Sequence, residues 1–159
     1  RVQYDTLETL GTDRIVNAAA AFDKYKSAAI AIDMGTATTF DFVDDAGTYC
    51  GGAIAPGIGI AAEALFEKAA QLPRIELAFP GLAIGRSTQQ CMQAGIVTGY
   101  ICMVDGMIER MKAEAGCRAG VIATGGLAPL VAPYCRLIDD IDEHLLLRGI
   151  RICYNRSVS

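Results

Sequence analysis

Residues 33–41 combine the groups that phosphate chemistry requires. The segment starts at Asp33, directly after the apolar run 28–32, and turns at Gly35. Its hydroxyl groups belong to Thr36, Thr38 and Thr39. Glycine lets a backbone approach an anion, hydroxyl and turn N–H groups donate to phosphate oxygens, and a carboxylate can hold the accompanying cation. A β-hairpin with a tight glycine turn explains the same residues, so both interpretations are open on this segment alone.

A second polar group opens the first helical pattern of the chain. Asp13 can accept a proton from a hydroxyl group, and the Arg14 guanidinium has a fork geometry that fits a carboxylate or a phosphate. Gly11 and Thr12 precede them, and Tyr4 lies seven residues before Gly11. Helix capping by Thr12 or Asp13, with Arg14 in solvent, accounts for the same residues without any ligand.

Two glycine-rich turns complete the set of candidate groups. Residues 51–57 read Gly-Gly-Ala-Ile-Ala-Pro-Gly and end a predicted strand with little side-chain bulk, so that a ligand can lie against them. A β-bulge is the alternative interpretation. Thr124, Gly125 and Gly126 lie between a predicted strand and a helix, where N–H groups favour nucleotide phosphates or ribose. Such turns are also common where nothing binds.

Composition limits the classes of protein to which the chain can belong. With 159 residues, 52% hydrophobic and 20% charged, it suits one domain with a packed core. The net charge of −4 and the lack of a Lys/Arg block argue against nucleic-acid binding. No uninterrupted apolar run is long enough to predict a membrane-spanning segment, so no membrane partner is expected. Six cysteines without a Cys-x-x-Cys pair suggest reduced core residues of a cytoplasmic protein, rather than a zinc site or a disulfide framework.

The elements that must position these residues follow from the hydrophobic periodicity. The predicted strands cover residues 28–33, 38–43, 48–55, 120–123 and 136–138, and the first three form an antiparallel meander with a turn at 44–47. The predicted helices cover residues 13–25, 58–71 and 144–154, with a short helix from Leu127 and a long one from Ser87. The long helix has a Ser87/Gln90 capping box. Its apolar stripe consists of Val97, Ile101, Val104, Ile108 and Met111. Gly95 and Gly99 on this helix permit close approach of another helix or of a second subunit.

This order predicts an α/β fold in which an N-terminal helix precedes a βββαβαβα unit with a mixed five-stranded sheet. It is the order of the ribonuclease-H-like half found in actin, sugar kinases and chaperone ATPases, which bind nucleotide between two such halves. Fold order alone does not establish function.

Taken together, the motifs resemble the C-terminal half of a type III pantothenate kinase. The resemblance runs over nearly the whole chain and rests on Tyr4, residues 11–14, 33–41, 51–57 and 124–126, and Ser87 with Thr88. It implies ATP-dependent phosphorylation of pantothenate to 4'-phosphopantothenate, the first step of coenzyme A synthesis. It also implies a homodimer that uses magnesium and a monovalent cation, potassium or ammonium.

The resemblance also implies a role for each matching residue. Asp13 is the proton acceptor and Asp33 holds the monovalent cation. The residues of the pantothenate pocket are Tyr4, Gly11, Thr12, Asp13, Arg14 and Thr88. The residues that contact ATP are Gly35, Thr36, Thr124, Gly125 and Gly126.

Two departures from the family pattern qualify these expectations. Ser87 stands where the family usually has Asn, which keeps a helix cap but changes the donors of the pocket. The family also begins with a half that carries an Asp-x-Gly-Asn-Thr phosphate loop, which residues 1–159 lack, and the chain starts at Arg1 rather than Met. We therefore expect a single domain that is the second half of a two-domain kinase and is inactive alone. The alternatives are an accessory protein acting through a protein partner, and a kinase for another hydroxy acid.

Overall fold

Five strands form one mixed sheet at the centre of the protein, in a computed structural model that describes residues 1–69 and 72–158. They are β1 (Ala29–Met34), β2 (Ala37–Val43), β3 (Tyr49–Pro56), β4 (Gly120–Thr124) and β5 (Asp140–Ile141). Their order in the sheet is β3-β2-β1-β4-β5. β2 pairs antiparallel with β1 and β3, whereas β4 pairs parallel with β1 and β5. The predicted mixed sheet and its antiparallel meander are confirmed.

Helices cover both faces of this sheet. They are α1 (Thr12–Tyr25), α2 (Ile58–Lys68), α3 (Thr88–Gln93), α4 (Gly99–Ala115), α5 (Ala128–Val131) and α6 (Leu145–Ser157). The first and last helices, α1 and α6, pack together on one face, and the side chains of α4 and α5 join the core on the other. Residues 70 and 71, at the end of the helix predicted over 58–71, lie outside the described residues.

Strand alternation divides the core into two unequal layers. Ile30, Ile32 and Met34 of β1 point to the α4 face and are fully buried there. Ala29 and Ala31 point to the α1 face, where they meet the alanines of α1. Because these side chains are small, α1 lies close to the sheet, and polar side chains of its first turns can reach the strands.

The long helical run begins as predicted and then departs from a regular α-helix. Ser87 caps α3 by accepting the N–H of Gln90 at 3.2 Å. A π-helical segment, Ala94–Thr98, which was not predicted, joins α3 to α4. A Cβ atom added at Gly95 or Gly99 would meet nothing within 4 Å in the described chain, so the close approach expected there involves no neighbouring helix of this chain.

By length and composition alone, the 28 residues Thr88–Ala115 would suffice to cross a bilayer. The predicted apolar stripe of this long helix explains their hydropathy more simply, because its side chains pack into the core. Val97, Val104 and Ile108 are fully buried in the core that covers the sheet. Core helices of globular domains commonly have this composition.

The strand predicted over residues 136–138 is wrong, and β5 lies four residues later. The buried carboxylate of Asp105 accepts the N–H groups of Arg136 and Leu137, each at 3.2 Å, and so holds this segment away from the sheet. Ladder bonds begin only where the N–H of Asp139 donates to the carbonyl of Val121 at 2.9 Å.

Candidate active site

The first turn of α1 places Asp13 at the edge of the sheet. Gly11 is the N-cap of α1, and a Cβ atom there would lie 2.5 Å from Oδ1 of Asp13. The Asp13 side chain therefore folds back over the end of the helix, against the backbone of Gly11. Asp13 and Thr12 are exposed, so the carboxylate is available to a ligand.

Arg14 is buried and makes an ion pair that crosses from the helix to the sheet. Its Nε donates to Oδ1 of Asp41 on β2 at 2.7 Å, and the two side chains are 7% and 1% exposed. Burial alone would lower the pKa of Arg14, but Asp41 and Tyr49 raise it above its ordinary value, so the guanidinium is charged. The interpretation that placed Arg14 in solvent is wrong.

Asp41 is a residue that the sequence analysis did not single out, and it accepts three hydrogen bonds. Besides Arg14, the Tyr49 hydroxyl donates to Oδ1 at 2.9 Å and the Thr39 hydroxyl donates to Oδ2 at 2.9 Å. Burial raises the pKa of Asp41, while Arg14 and these two hydroxyls lower it. Removing one partner of such a buried pair typically costs about 3–5 kcal/mol.

One nitrogen of Arg14 remains unpaired. Its Nη2 is buried and has no hydrogen-bond partner among the described residues. The backbone of Gly52 lies beside it, since a Cβ atom there would come within 3.1 Å of Nη2 and 1.7 Å of the Phe40 carbonyl oxygen. Tyr4 covers the same region, with its ring centroid 6.1 Å from that of Tyr49. Tyr4 and Gly52 also line a cavity of about 450 Å³.

Asp33 ends β1 on the same face as Asp41. The Asn17 amide donates to Oδ2 of Asp33 at 3.3 Å, while Oδ1 of Asn17 is buried without a partner among the described residues. Burial raises the pKa of Asp33 above its usual range and the charge of Asp13 adds to this rise, whereas the Asn17 hydrogen bond lowers it. A half-buried carboxylate beside an unpaired amide oxygen is a donor set that suits a hard cation.

Three predicted segments meet at the carboxyl ends of β1 and β4. A Cβ atom at Gly125, whose φ is +93°, would lie 2.5 Å from Oδ1 of Asp33. The N–H of Gly57 donates to the carbonyl of Thr36 at 3.1 Å. Thr124 is buried and pairs with Asp33 in the sheet. A cavity of about 500 Å³ is bounded by Met34, Gly35, Thr36, Gly59, Ile60, Gly126 and Leu127.

Thr88 stands apart from this group. It is exposed in the first turn of α3 and lies on a different element from the α1 cluster. Met92 of the same helix borders a small cavity with Ala62 and Phe66 of α2. Within one chain, α2 contacts β2, and α3 continues through the π-helical segment into α4, whose side chains pack on the face of the sheet opposite to α1. Among the described residues, no group of three or more His, Cys, Asp or Glu side chains could hold a metal ion.

The fold and this site define a class of protein. The sheet is ribonuclease-H-like, with glycine turns at the ends of β1 and β4 and carboxylates beside them. A crystal structure of a Campylobacter jejuni protein, described as a Baf family transcriptional activator, shares the fold with a TM-score of 0.69 at 22% identity. That match covers 98% of this chain and 69% of the other.

The family follows from the sequence comparisons. A family model described as type III pantothenate kinase matches residues 1–110, and the chain belongs to this family. Type III pantothenate kinases of Geotalea uraniireducens and Citrifermentans bemidjiense are 54% and 53% identical over 156 residues. Each match covers 98% of this chain, and the chain spans 61% of the length of each relative.

Proposed function

We propose that the protein containing this chain is a pantothenate kinase, which transfers the terminal phosphoryl group of ATP to the primary hydroxyl of pantothenate. One observation carries the proposal beyond family membership. Asp13 is exposed at the start of α1, next to the buried Arg14. Burial raises the pKa of Asp33, the charge of Asp13 adds to this rise, and Asp33 directly precedes the turn whose Gly35 lines the cavity of about 500 Å³. A base, a cation ligand and phosphate-binding turns thus share one edge of the sheet.

In this proposal Asp13 accepts the proton of the pantothenate hydroxyl as the oxygen attacks phosphorus. General-base assistance of this kind contributes about 10²–10⁴-fold to a rate. Arg14 donates to an anionic oxygen of the bound reactants, and Tyr4, Gly11 and Thr12 bound the pantothenate pocket. Phosphoryl transfer depends mainly on positioning and on neutralising charge, and rigid, buried partners such as those of Arg14 suit both needs.

ATP is proposed to lie along the two glycine turns. Gly35 and Thr36 on one side and Gly126 on the other border the same cavity. The second turn starts at the end of β4, where Thr124 is followed by Gly125. Backbone N–H groups of such turns can approach phosphate oxygens because no side chain intervenes.

Two cations are implied, and the chain fits one of them directly. Asp33 and the unpaired Oδ1 of Asn17 would hold potassium or ammonium, which supplies positive charge beside the phosphates. Magnesium would be held by phosphate oxygens and by the other half of the kinase, because the described residues hold no carboxylate cluster for it.

We further propose that the enzyme is a cytoplasmic homodimer. Thr88 is exposed on α3 and lies on a different element from the α1 cluster, so a second copy is a simple way to bring Thr88 to the pantothenate pocket. The open surface at Gly95 and Gly99, where an added Cβ atom meets nothing in the described chain, suits close contact with that copy.

A coupled assay of the full-length protein tests the function. ADP formation should require pantothenate, and other hydroxy acids should not replace it. Preference for a different hydroxy acid would favour the alternative of a related kinase. No ADP formation with pantothenate or with any other hydroxy acid would favour a non-catalytic accessory role, which the description of the Campylobacter protein raises and which 22% identity does not carry over. The isolated chain should be inactive, because it spans 61% of its relatives and lacks a phosphate-loop motif.

A further inference from the structure

We infer that Asp41 is a positioning residue, which holds the Arg14 guanidinium so that its free Nη2 meets an anionic oxygen of the reactants. The inference rests on the proposed function, because it assigns the partner of a group in the proposed pantothenate pocket. In the pair, Nε of Arg14 donates a hydrogen bond to Oδ1 of Asp41 at 2.7 Å.

Asp41 is itself fixed from two further directions. Tyr49 and Thr39 hydroxyls each donate to it at 2.9 Å, so neither carboxylate oxygen is free to rotate away. The guanidinium is planar, and fixing Nε therefore fixes the direction of both terminal nitrogens. A charged group held in this way loses little freedom when a ligand binds, which is the condition for effective positioning.

The unpaired Nη2 points to a ligand. A buried guanidinium N–H without an acceptor has lost its water without replacement, and an incoming anionic oxygen would restore a charge-assisted hydrogen bond. Access is provided beside Gly52, where an added Cβ atom would come within 3.1 Å of Nη2, and both Gly52 and Tyr4 line the cavity of about 450 Å³. Tyr4 is 36% exposed and borders that cavity.

A second buried carboxylate provides a matched control. Asp105 on α4 is also paired with an arginine, since it accepts Nε of Arg136 at 3.3 Å as well as two backbone N–H groups. The Arg136 side chain, however, is 77% exposed, and its Nη2 lies 3.9 Å from the exposed carboxylate of Glu109, so its terminal nitrogens are accessible to solvent. Asp105 therefore resembles Asp41 in being a buried carboxylate paired with an arginine, but its arginine has no buried, unpaired donor.

The anionic oxygen can belong to the pantothenate carboxylate or to the transferred phosphoryl group. An analogue of pantothenate whose carboxylate is replaced by a primary alcohol distinguishes the two. If the carboxylate is the partner, substitution of Asp41 raises KM for pantothenate and has little effect on the analogue. If the phosphoryl group is the partner, the substitution lowers kcat for both compounds.

The experiment compares full-length wild type, Asp41→Asn, Tyr49→Phe and Asp105→Asn in steady-state assays, with thermal unfolding of each. We expect Asp41→Asn to lower kcat/KM about 10- to 100-fold, through either of the two patterns above, and Asp105→Asn to change it less than about twofold. Tyr49→Phe keeps the Asp41 charge and removes one constraint, so a loss of about threefold is expected. If Asp41→Asn does not fold, the kcat/KM of Tyr49→Phe decides whether Asp41 positions Arg14, and a value equal to that of wild type would then overturn the inference.

Folded Asp41→Asn with kcat/KM within about twofold of wild type for both compounds would overturn the inference while the function stands. An equal loss in Asp105→Asn would also overturn it, since the effect would then be structural. Failure of the proposed function is distinguishable, because wild type would show no pantothenate-dependent turnover, and the inference would fall with it.

Discussion

On one face of the sheet α1 lies against alanines, and on the other α4 lies against isoleucine, methionine and phenylalanine. The α1 face contains Arg14, Asn17 and Asp41 as buried polar residues, together with the half-buried Asp33. The α4 face is filled by the largest fully buried apolar side chains, such as Phe40 of β2.

The difference follows from strand alternation. Ala31 and Asp33 share a face, as do Ile32 and Met34, so one strand supplies a polar group of the candidate site to one side and apolar core side chains to the other. Small neighbours bring α1 near enough for Arg14 to reach Asp41 directly. We therefore expect changes on the α1 face to affect activity, and changes on the α4 face to affect stability.

The largest effect is expected from Asp13→Asn on the α1 face. The amide keeps the size of the side chain but cannot accept the hydroxyl proton, so kcat of the full-length enzyme should fall by about 10²–10⁴-fold. Because Asp13 is exposed, the midpoint of thermal unfolding should stay within error of wild type. Retained turnover would remove Asp13 from the mechanism and would contradict the expectation that changes on the α1 face affect activity.

The counterpart on the α4 face is Ile108→Ala. Ile108 is fully buried against the sheet, and its truncation should lower the free energy of unfolding by about 2–5 kcal/mol. Urea unfolding measures this loss. Activity per folded molecule, measured well below the unfolding transition, should match wild type; a fall in kcat comparable to that of Asp13→Asn would contradict the comparison.

Gly125→Ala tests whether the second glycine turn belongs to the active face. At φ +93° an alanine is strained, and its Cβ atom would lie 2.5 Å from Oδ1 of Asp33. We expect KM for ATP to rise about tenfold or more. Gly106→Ala on α4 is the control, because a Cβ atom there meets nothing within 4 Å in the described chain. Equal effects of the two variants would mean that the turn has no special role.

The smallest effect is expected from Asp33→Asn. Burial raises the pKa of Asp33 in the folded state above its unfolded value, so the folded protein binds this proton more tightly, and stability falls as pH rises through the interval between the two values. Asn does not ionise, so the variant does not lose this stability. Its free energy of unfolding should exceed that of wild type above the folded pKa of Asp33, and the difference should vanish below the unfolded pKa.

Cation binding gives the same variant a functional readout. Added potassium should raise the unfolding temperature of wild type, because a ligand that binds only the folded state stabilises it, and should not raise that of Asp33→Asn. Sodium or choline at equal ionic strength is the control. An equal response of both proteins to potassium would place the cation elsewhere.

The sequence predicted the elements well and their cross-contacts poorly. Local periodicity located the apolar stripe of α4, and the cap at Ser87 was recognisable because it is formed within three residues. The partner of Arg14 was not predictable in this way, since Asp41 lies 27 residues away and the contact depends on how α1 packs on β2. A signal was nevertheless present, because alternation in residues 37–43 places Thr39 and Asp41 on one face.

The same reason explains the misplaced strand. Residues 136–138 have the apolar character of a strand, but their N–H groups bind a carboxylate from α4, 31 and 32 residues earlier in the chain. Asn17 was missed because an asparagine within an alanine-rich helix has no local pattern that marks it, and only its contact with Asp33 gives it a role. Tertiary contacts, rather than propensity, decide each of these positions.

Analysis of the reaction product tests the central claim most directly. Full-length protein, pantothenate, ATP, magnesium and potassium should yield a phosphorylated pantothenate, and phosphorus NMR should place the phosphate on the primary hydroxyl. Wild type should form this product, and Asp13→Asn should form it about 10²–10⁴-fold more slowly. Wild type that binds ATP yet forms no phosphorylated pantothenate would contradict it.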